Sequence, residues 1–324
     1  MITENITVGE GTKYPLAGML TLPDDLSRPV PAVVMVHGSG PSNMDEKVMA
    51  LTPFKDLAEG LAKQGIASVR YDKRTFTYGK EMKKDVGTVR EETIDDALLA
   101  IEILKMDPRI DPENVFILGH SMGAMLAPRI DAEGGNARGI IMLAGTPYRL
   151  EDIVLRQLKQ SGGNFILRMI VGLEYQFFGR KFDRLYEMTD EEAKGKFFAG
   201  GLSLYYFKEM GRKTAADYLL ESDKPALIMQ GGRDFQVLAK DDFAKFRELL
   251  AGRKNVEFRL YPELNHVFVK AMYDDILKAS KEYGTERHIG EEVIGDIAGF
   301  IREHSAREAQ SEEEEAPSKA GGTE

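Results

Sequence analysis

The sequence predicts an α/β fold, a doubly wound and mostly parallel sheet with a helical segment inserted into it. Three observations predict it. Strand and helix patterns alternate over residues 30–145 and resume at 224. The strands are continuous apolar runs, as expected where both faces of a sheet are covered. Between about Pro147 and Glu221 no such run occurs, and helical spacing dominates.

The elements follow in order. "ITVGEG" and "LAGMLTLP" are short runs separated by turn residues and predict an antiparallel lead-in. "PVPAVVMVHGSG" (30–40) is an apolar run closed by glycines, hence a buried strand. Phe54, Leu57, Ala58 and Leu61 fall at helical spacing over 52–65, and Gly65 suits the helix end. Residues 66–72 read as the next strand, and 88–108 as one long amphipathic helix ending before a proline-limited turn. "NVFILGH" predicts a strand, "MGAMLAPRI" a helix and "RGIIMLAG" (138–145) another strand. After the inserted segment come a strand in "KPALIMQGGRD", a helix in "AKDDFAKFRELLAG", a strand in "VEFRLYPELNH" and a last helix in "EEVIGDIAGFIREH".

The expected division is a main domain from 1–146 and 222–305, an inserted helical cap over 147–221, and a disordered acidic tail over 306–324, where "SEEEEAPSKAGGTE" has almost no apolar content. The inserted segment holds 13 of the chain's 16 Phe and 12 Tyr. Those aromatics serve a local core, an apolar pocket, or both.

Composition removes several functions. The 324 residues are 43% hydrophobic and 30% charged, with a net charge of −10, ordinary for a globular protein and unsuited to a nucleic acid or an anionic membrane. There is no cysteine, so a thiol nucleophile, thiolate metal sites and disulfides are excluded. The N-terminus has no basic stretch followed by an apolar core, and no 18-residue apolar run exists, so a cytoplasmic location is expected. No Walker lysine motif, strand-linked GxGxxG or HExxH spacing is present.

The chemistry gathers around "GHSMG" (119–123). A serine between two glycines, after a buried strand and before a helix, sits on a turn so sharp that side chains at the flanking glycine positions would collide. This lifts Ser121 above the sheet edge at a helix N-terminus, where negative charge is favoured. A serine hydroxyl needs a base to become a nucleophile. Of five histidines, His120 lies inside the turn, His37 ends a strand, and His288 and His304 sit among charges near the last helix. His266 follows the last strand and is the candidate base. Its orienting acid should leave the same sheet edge, and Asp234, after the strand "PALIM", does so. Among its rivals, Asp223 precedes the strand, Asp241 and Asp242 look like surface charge of the next helix, and Glu263 is too close to His266 in sequence.

The order Ser121, Asp234, His266 resembles the α/β-hydrolase fold family, as do "VHGSGP", "RYDKRTFTYG", "GGRDFQV" and "NHVF". The likeness spans residues 14–304 and is nearest to the cinnamoyl and short-acyl carboxylesterases, the dienelactone-hydrolase-like proteins and the acyl-aminopeptidase-like proteins. It implies an α/β-hydrolase catalytic domain with a cap at 147–221, and acyl transfer to water. It also implies oxyanion donors at the backbone N–H groups of Ser39 and Met122. In "RYDKRTFTYGK" packing roles are expected for Asp72 and Arg74, while substrate contact by Phe76 or Tyr78 stays open. No cofactor or metal is expected. The expected partner is a small-molecule ester, with a homodimer as the one protein contact left open. A thioesterase, acyltransferase or peptidase on the same three residues, or a non-catalytic binder of small ligands, are the alternatives.

Overall fold

The computed structural model describes residues 1–82, 87–160, 181–198, 202–273 and 275–305. The expected acidic tail, and Phe165, Tyr175, Phe177 and Phe178 of the inserted segment, lie outside the described residues. Eight strands form one sheet in the order β1-β2-β4-β3-β5-β6-β7-β8. They are β1 (Ile2–Val8), β2 (Leu16–Leu22), β3 (Val30–Val36), β4 (Ala67–Tyr71), β5 (Ile110–His120), β6 (Ile140–Leu143), β7 (Ala226–Gly231) and β8 (Val256–Tyr261). β1 pairs antiparallel with β2, and β2 with β4; every later pairing is parallel.

The helices are α1 (Pro53–Lys63), α2 (Arg74–Tyr78), α3 (Asp95–Met106), α4 (Met122–Ile130), α5 (Leu150–Gln160), α6 (Asp190–Lys194), α7 (Leu204–Met210), α8 (Ala215–Glu221), α9 (Ala244–Leu249), α10 (Ala279–Tyr283) and α11 (Glu291–His304). Strand side chains alternate between two cores. Val34, Val36 and Ile117 join Ala97, Ile101 and Leu104 of α3 and Leu126 and Ile130 of α4 on one face. Val33, Met35, Phe116 and Leu118 join Phe54, Leu57 and Leu61 of α1 and Ile297 and Ile301 of α11 on the other. The helix expected over 88–108 is not uniform: a wider turn at Arg90–Ile94 precedes α3. Among the described residues no helix is long and apolar enough to cross a membrane.

Chain order reverses between β3 and β5. β4 lies to one side of β3 and β5 to the other, which opens a crevice at the C-terminal ends of these two strands. At that point β5 passes into α4 through Ser121, whose φ of 53° and ψ of −115° are costly for a residue with a side chain. Glycine is required on either side. A Cβ at Gly119 would lie 2.2 Å from the Gly123 carbonyl oxygen, and one at Gly123 would lie 2.1 Å from that of Val36.

Just after β3, His37 is buried between the rings of Phe54 and Tyr71, with Nε2 3.1 Å from the Asn43 carbonyl. Burial pushes its pKa down to about 4, against the pull of Glu46 and with the push of Lys73. Native His37 therefore stays neutral where the unfolded chain takes up a proton. Its contribution is full above pH 6.5 and is lost as pH falls toward 4.

This frame predicts the effect of three substitutions. Gly123→Ala should lower unfolding free energy in urea by at least about 2–3 kcal/mol, since the added methyl meets backbone. Gly295→Ala in α11, where a Cβ meets nothing within 4 Å, should raise it by about 0.5–1 kcal/mol. For His37→Gln, the difference from wild type in urea midpoint should change with pH between 6.5 and 4, where up to about 3 kcal/mol of acid sensitivity is removed. Parallel midpoint curves for the two proteins would refute that role.

Candidate active site

The four strand ends at the crevice deliver the residues expected from the sequence. Ser39 follows β3, Ser121 and Met122 follow β5, Asp234 follows β7 and His266 follows β8. The Ser121 N–H is fixed by the Leu143 carbonyl at 2.8 Å, so the strained turn is tied to the neighbouring strand. Met122 opens α4, and its N–H has no carbonyl one turn back to bond. Gly38 lies against the serine: a Cβ there would sit 3.2 Å from Ser121 Cβ.

Asp234 and His266 meet directly. His266 Nδ1 is 2.7 Å from Asp234 Oδ2, with both residues 5% exposed. The carboxylate is held by further donors: the N–H groups of Gln236 and Val237 reach Oδ1 at 2.7 and 3.0 Å, and Gln230 Nε2 reaches Oδ2 at 3.0 Å. Such a set holds the carboxylate pointing one way. Asn265 braces the His266 loop, accepting from Val267 N–H and Val269 N–H while donating to buried Glu282 at 2.6 Å. Ser121 and His266 are on the same edge but make no direct hydrogen bond in this arrangement.

His120 points away from the cavity. Its Nε2 donates to the His266 carbonyl at 3.0 Å, its ring centroid is 4.8 Å from that of His266, and its Nδ1 is 2.9 Å from Glu46 Oε2. Burial alone would depress the His120 pKa, but the Glu46 carboxylate outweighs it and the net shift is upward. Burial would likewise raise Glu46, yet His120, His37 and the Gly38 N–H hold it below its ordinary value. The two form a buried ion pair. Glu46 Oε1 accepts from the Gly38 N–H at 2.8 Å, so this pair joins the His266 loop to the loop of Ser39.

A second buried pair lies on the other side of Gly38. Lys73 Nζ donates to the Gly38 carbonyl at 2.8 Å and is 2.6 Å from Glu92 Oε1. Glu92 Oε2 accepts from the Tyr206 hydroxyl of α7 at 2.5 Å. The wider turn at Arg90–Ile94 is what carries Glu92 into the site, a common use of such turns.

The crevice holds a cavity of about 770 Å³, reached by Ser39, Ser121 and Met122. Among the described residues its wall is largely apolar, with Met125, Leu150, Ile153, Val154, Phe198, Leu202 and Phe207, and with Glu92, Tyr206 and Gln236 as polar points. Both readings of the aromatics in the inserted segment hold. Phe182, Phe198 and Phe207 pack on one another with centroids 5.1–5.3 Å apart, and Phe198 and Phe207 also line the cavity.

Other expectations meet mixed outcomes. Asp72 accepts from the Met44 N–H at 2.8 Å and Arg74 pairs with Asp96, so both pack the loop. Phe76 is exposed and Tyr78 bonds the Pro15 carbonyl; Thr75, Gly79 and Met82 line the cavity in their place. Asp223 and Glu263 are exposed, Asp223 at the opposite sheet edge with Arg253. Asp242 corrects the expectation of surface charge. It is 0% exposed and accepts from Thr146 Oγ1, the Leu238 N–H and Arg156 of α5, each at 2.6 Å. His288 is exposed beside Asp56, while His304 is half-buried against Glu257. The burial of Glu46, Lys73 and Glu92 has no signal in the sequence, because a charge in a loop or first helical turn carries no local sign of it.

Comparison with known proteins agrees with this architecture. A model of the alpha/beta hydrolase family matches residues 33–279. Esterase EstD of Thermotoga maritima is 36% identical over 286 residues, 88% of this chain. The chain spans 65% of that relative's length. Among solved structures, Est1E of Butyrivibrio proteoclasticus superposes with a TM-score of 0.57 at 16% identity, over 93% of this chain and 98% of its own. An acylaminoacyl peptidase of Pyrococcus horikoshii gives 0.53 at 14% identity, over 94% of this chain and 41% of its own. Those two likenesses are of fold, and the fold hosts more than one reaction. With the family model spanning most of its length and the elbow, sheet order and strand-end loops in place, the chain belongs to the alpha/beta hydrolase family.

Proposed function

We propose that this protein hydrolyses carboxylic esters through an acyl-enzyme on Ser121. The observation that carries the reading is the buried Asp234–His266 pair at the sheet edge on which the strained Ser121 stands. A pure binding protein has no use for a positive φ at a serine, which costs of the order of 1–3 kcal/mol. The name of the relative at 36% identity agrees with the ester as substrate.

In this mechanism His266 Nε2 takes the Ser121 proton and the alkoxide attacks the ester carbonyl. The oxyanion is received by the N–H groups of Ser39 and Met122. Collapse expels the alcohol with the proton from His266, and water repeats the cycle on the acyl-enzyme. Asp234 holds the imidazole with Nδ1–H toward itself, which leaves Nε2 free as base. The apolar wall of the cavity suits a short or aromatic acyl group; the chain acts on small-molecule esters, without a cofactor.

The wild-type chain should give a burst of p-nitrophenol from p-nitrophenyl butyrate equal to the enzyme present, and a fluorophosphonate should label Ser121. Ser121→Ala should abolish both, and Asp234→Asn should lower kcat on the order of 10⁴-fold through the wrong tautomer. No turnover on any ester or thioester, together with no labelling, would sink the reading. Replacing Phe198 and Phe207 by Ala should move the preference among p-nitrophenyl esters toward longer acyl chains while keeping kcat within about tenfold of wild type. An unchanged chain-length profile would leave those rings with a packing role only.

A further inference from the structure

We propose that Lys73 is a positioning residue for the oxyanion site, and that it aims the Ser39 N–H by holding the Gly38 carbonyl. The inference rests on the ester-hydrolase reading above. Its geometric basis is the 38–39 peptide. Among the described residues no peptide bond is cis, so the Gly38 carbonyl and the Ser39 N–H point in opposite directions from one rigid plane. Lys73 Nζ grips the carbonyl end at 2.8 Å, which fixes the plane and with it the direction of the N–H at the far end, on a residue that lines the cavity with Ser121.

Such a grip is needed here. Gly38 has no Cβ to limit its rotation, and Gly40 with φ of 80° leaves the next step of the loop equally free. The Glu46 bond fixes the peptide before Gly38, not the one after it. A cation on the carbonyl also polarises the amide, strengthening the N–H as a donor to developing negative charge.

The rest of the network explains how a lysine can do this while 2% exposed. Glu92 at 2.6 Å supplies the counter-charge, and the Tyr206 hydroxyl at 2.5 Å fixes the other carboxylate oxygen. A pair with a purely structural role could be replaced by apolar side chains with little loss, and would not need a third contact to this one carbonyl. Tyr206 belongs to the inserted segment and lines the cavity, so the donor is braced from the wall that faces the acyl group.

The test uses the full chain with Lys73→Met and Glu92→Gln combined, which leaves no unpaired buried charge. Active serines are counted with a fluorophosphonate, and p-nitrophenyl butyrate kinetics are measured beside inhibition by a trifluoromethyl ketone, whose adduct on Ser121 carries an oxyanion. Expected are a 10- to 100-fold fall in kcat per titrated serine, KM within threefold, and a rise in the ketone inhibition constant parallel to the fall in kcat/KM. A kcat within threefold of wild type, or a loss confined to KM, overturns the inference whatever happens to Tm. Should the double variant not fold, Tyr206→Phe decides: a two- to fivefold fall in kcat at unchanged KM supports it, and unchanged kcat overturns it. A wild-type chain inert to ester and fluorophosphonate would overturn the hydrolase reading and this inference with it; an active wild type with an unaltered variant overturns this inference alone.

Discussion

The arrangement depends on one backbone contact, the approach of the first turn of α4 onto the end of β3. Only hydrogen atoms on Gly119 and Gly123 allow the strand, the helix and the Val36 carbonyl to meet as they do. That approach puts Ser121 beside Gly38, so two loops 83 residues apart share one small volume. It also explains why the strain at Ser121 persists. The surrounding hydrogen bonds and core over-determine the turn, and relaxing it would separate the strand from the helix.

Around that contact the protein buries three acid–base pairs: Asp234 with His266, Glu46 with His120, and Lys73 with Glu92. Burial of charge is expensive, and such pairs seldom stabilise a fold on balance. Their shared feature is where the remaining bonds go. Glu46 ends on the Gly38 N–H, Lys73 on the Gly38 carbonyl and His120 on the His266 carbonyl, while the carboxylate of Asp234 collects N–H groups of its own loop. Charges are spent on fixing loops that no regular secondary structure fixes. Where strands and helices end, backbone groups lose their ladder partners, and ionised side chains give the strongest substitutes.

Sequence reasoning reached the parts of this design that have a local signature. Strands buried on both faces are apolar runs, so β3 to β7 and their order of appearance were legible, as was the helix–strand rhythm. The elbow was legible because its steric demand falls within five residues. Asp234 and His266 could be picked out because the end of a parallel strand is a place, not only a pattern. The buried charges were not legible. Glu46, Lys73, Glu92 and Asp242 lie in loops or at helix starts, where the same residues would normally face water. Their burial is decided by partners up to 114 residues away, as between Glu92 and Tyr206. The periodicity of 88–108 likewise could not show that one turn is wide, since a single extra residue leaves the apolar spacing after it intact.

The inserted segment is rooted on buried charges of the main domain, one of them Arg129 of α4, which pairs with Glu209 of α7. Arg156 of α5 runs to Asp242, in the turn that follows the loop of Asp234, and Tyr206 of α7 runs to Glu92 and so to Lys73. Exchanging the segment alone would leave buried Asp242 without its cation, Arg129 without Glu209 and Glu92 without the Tyr206 hydroxyl. Building chimeras with other inserted segments on this scaffold therefore has a compatibility rule. The unit to transplant is not residues 147–221 but those residues with Glu92, Lys73, Arg129, Thr146 and Asp242, or with neutral replacements for the charged ones.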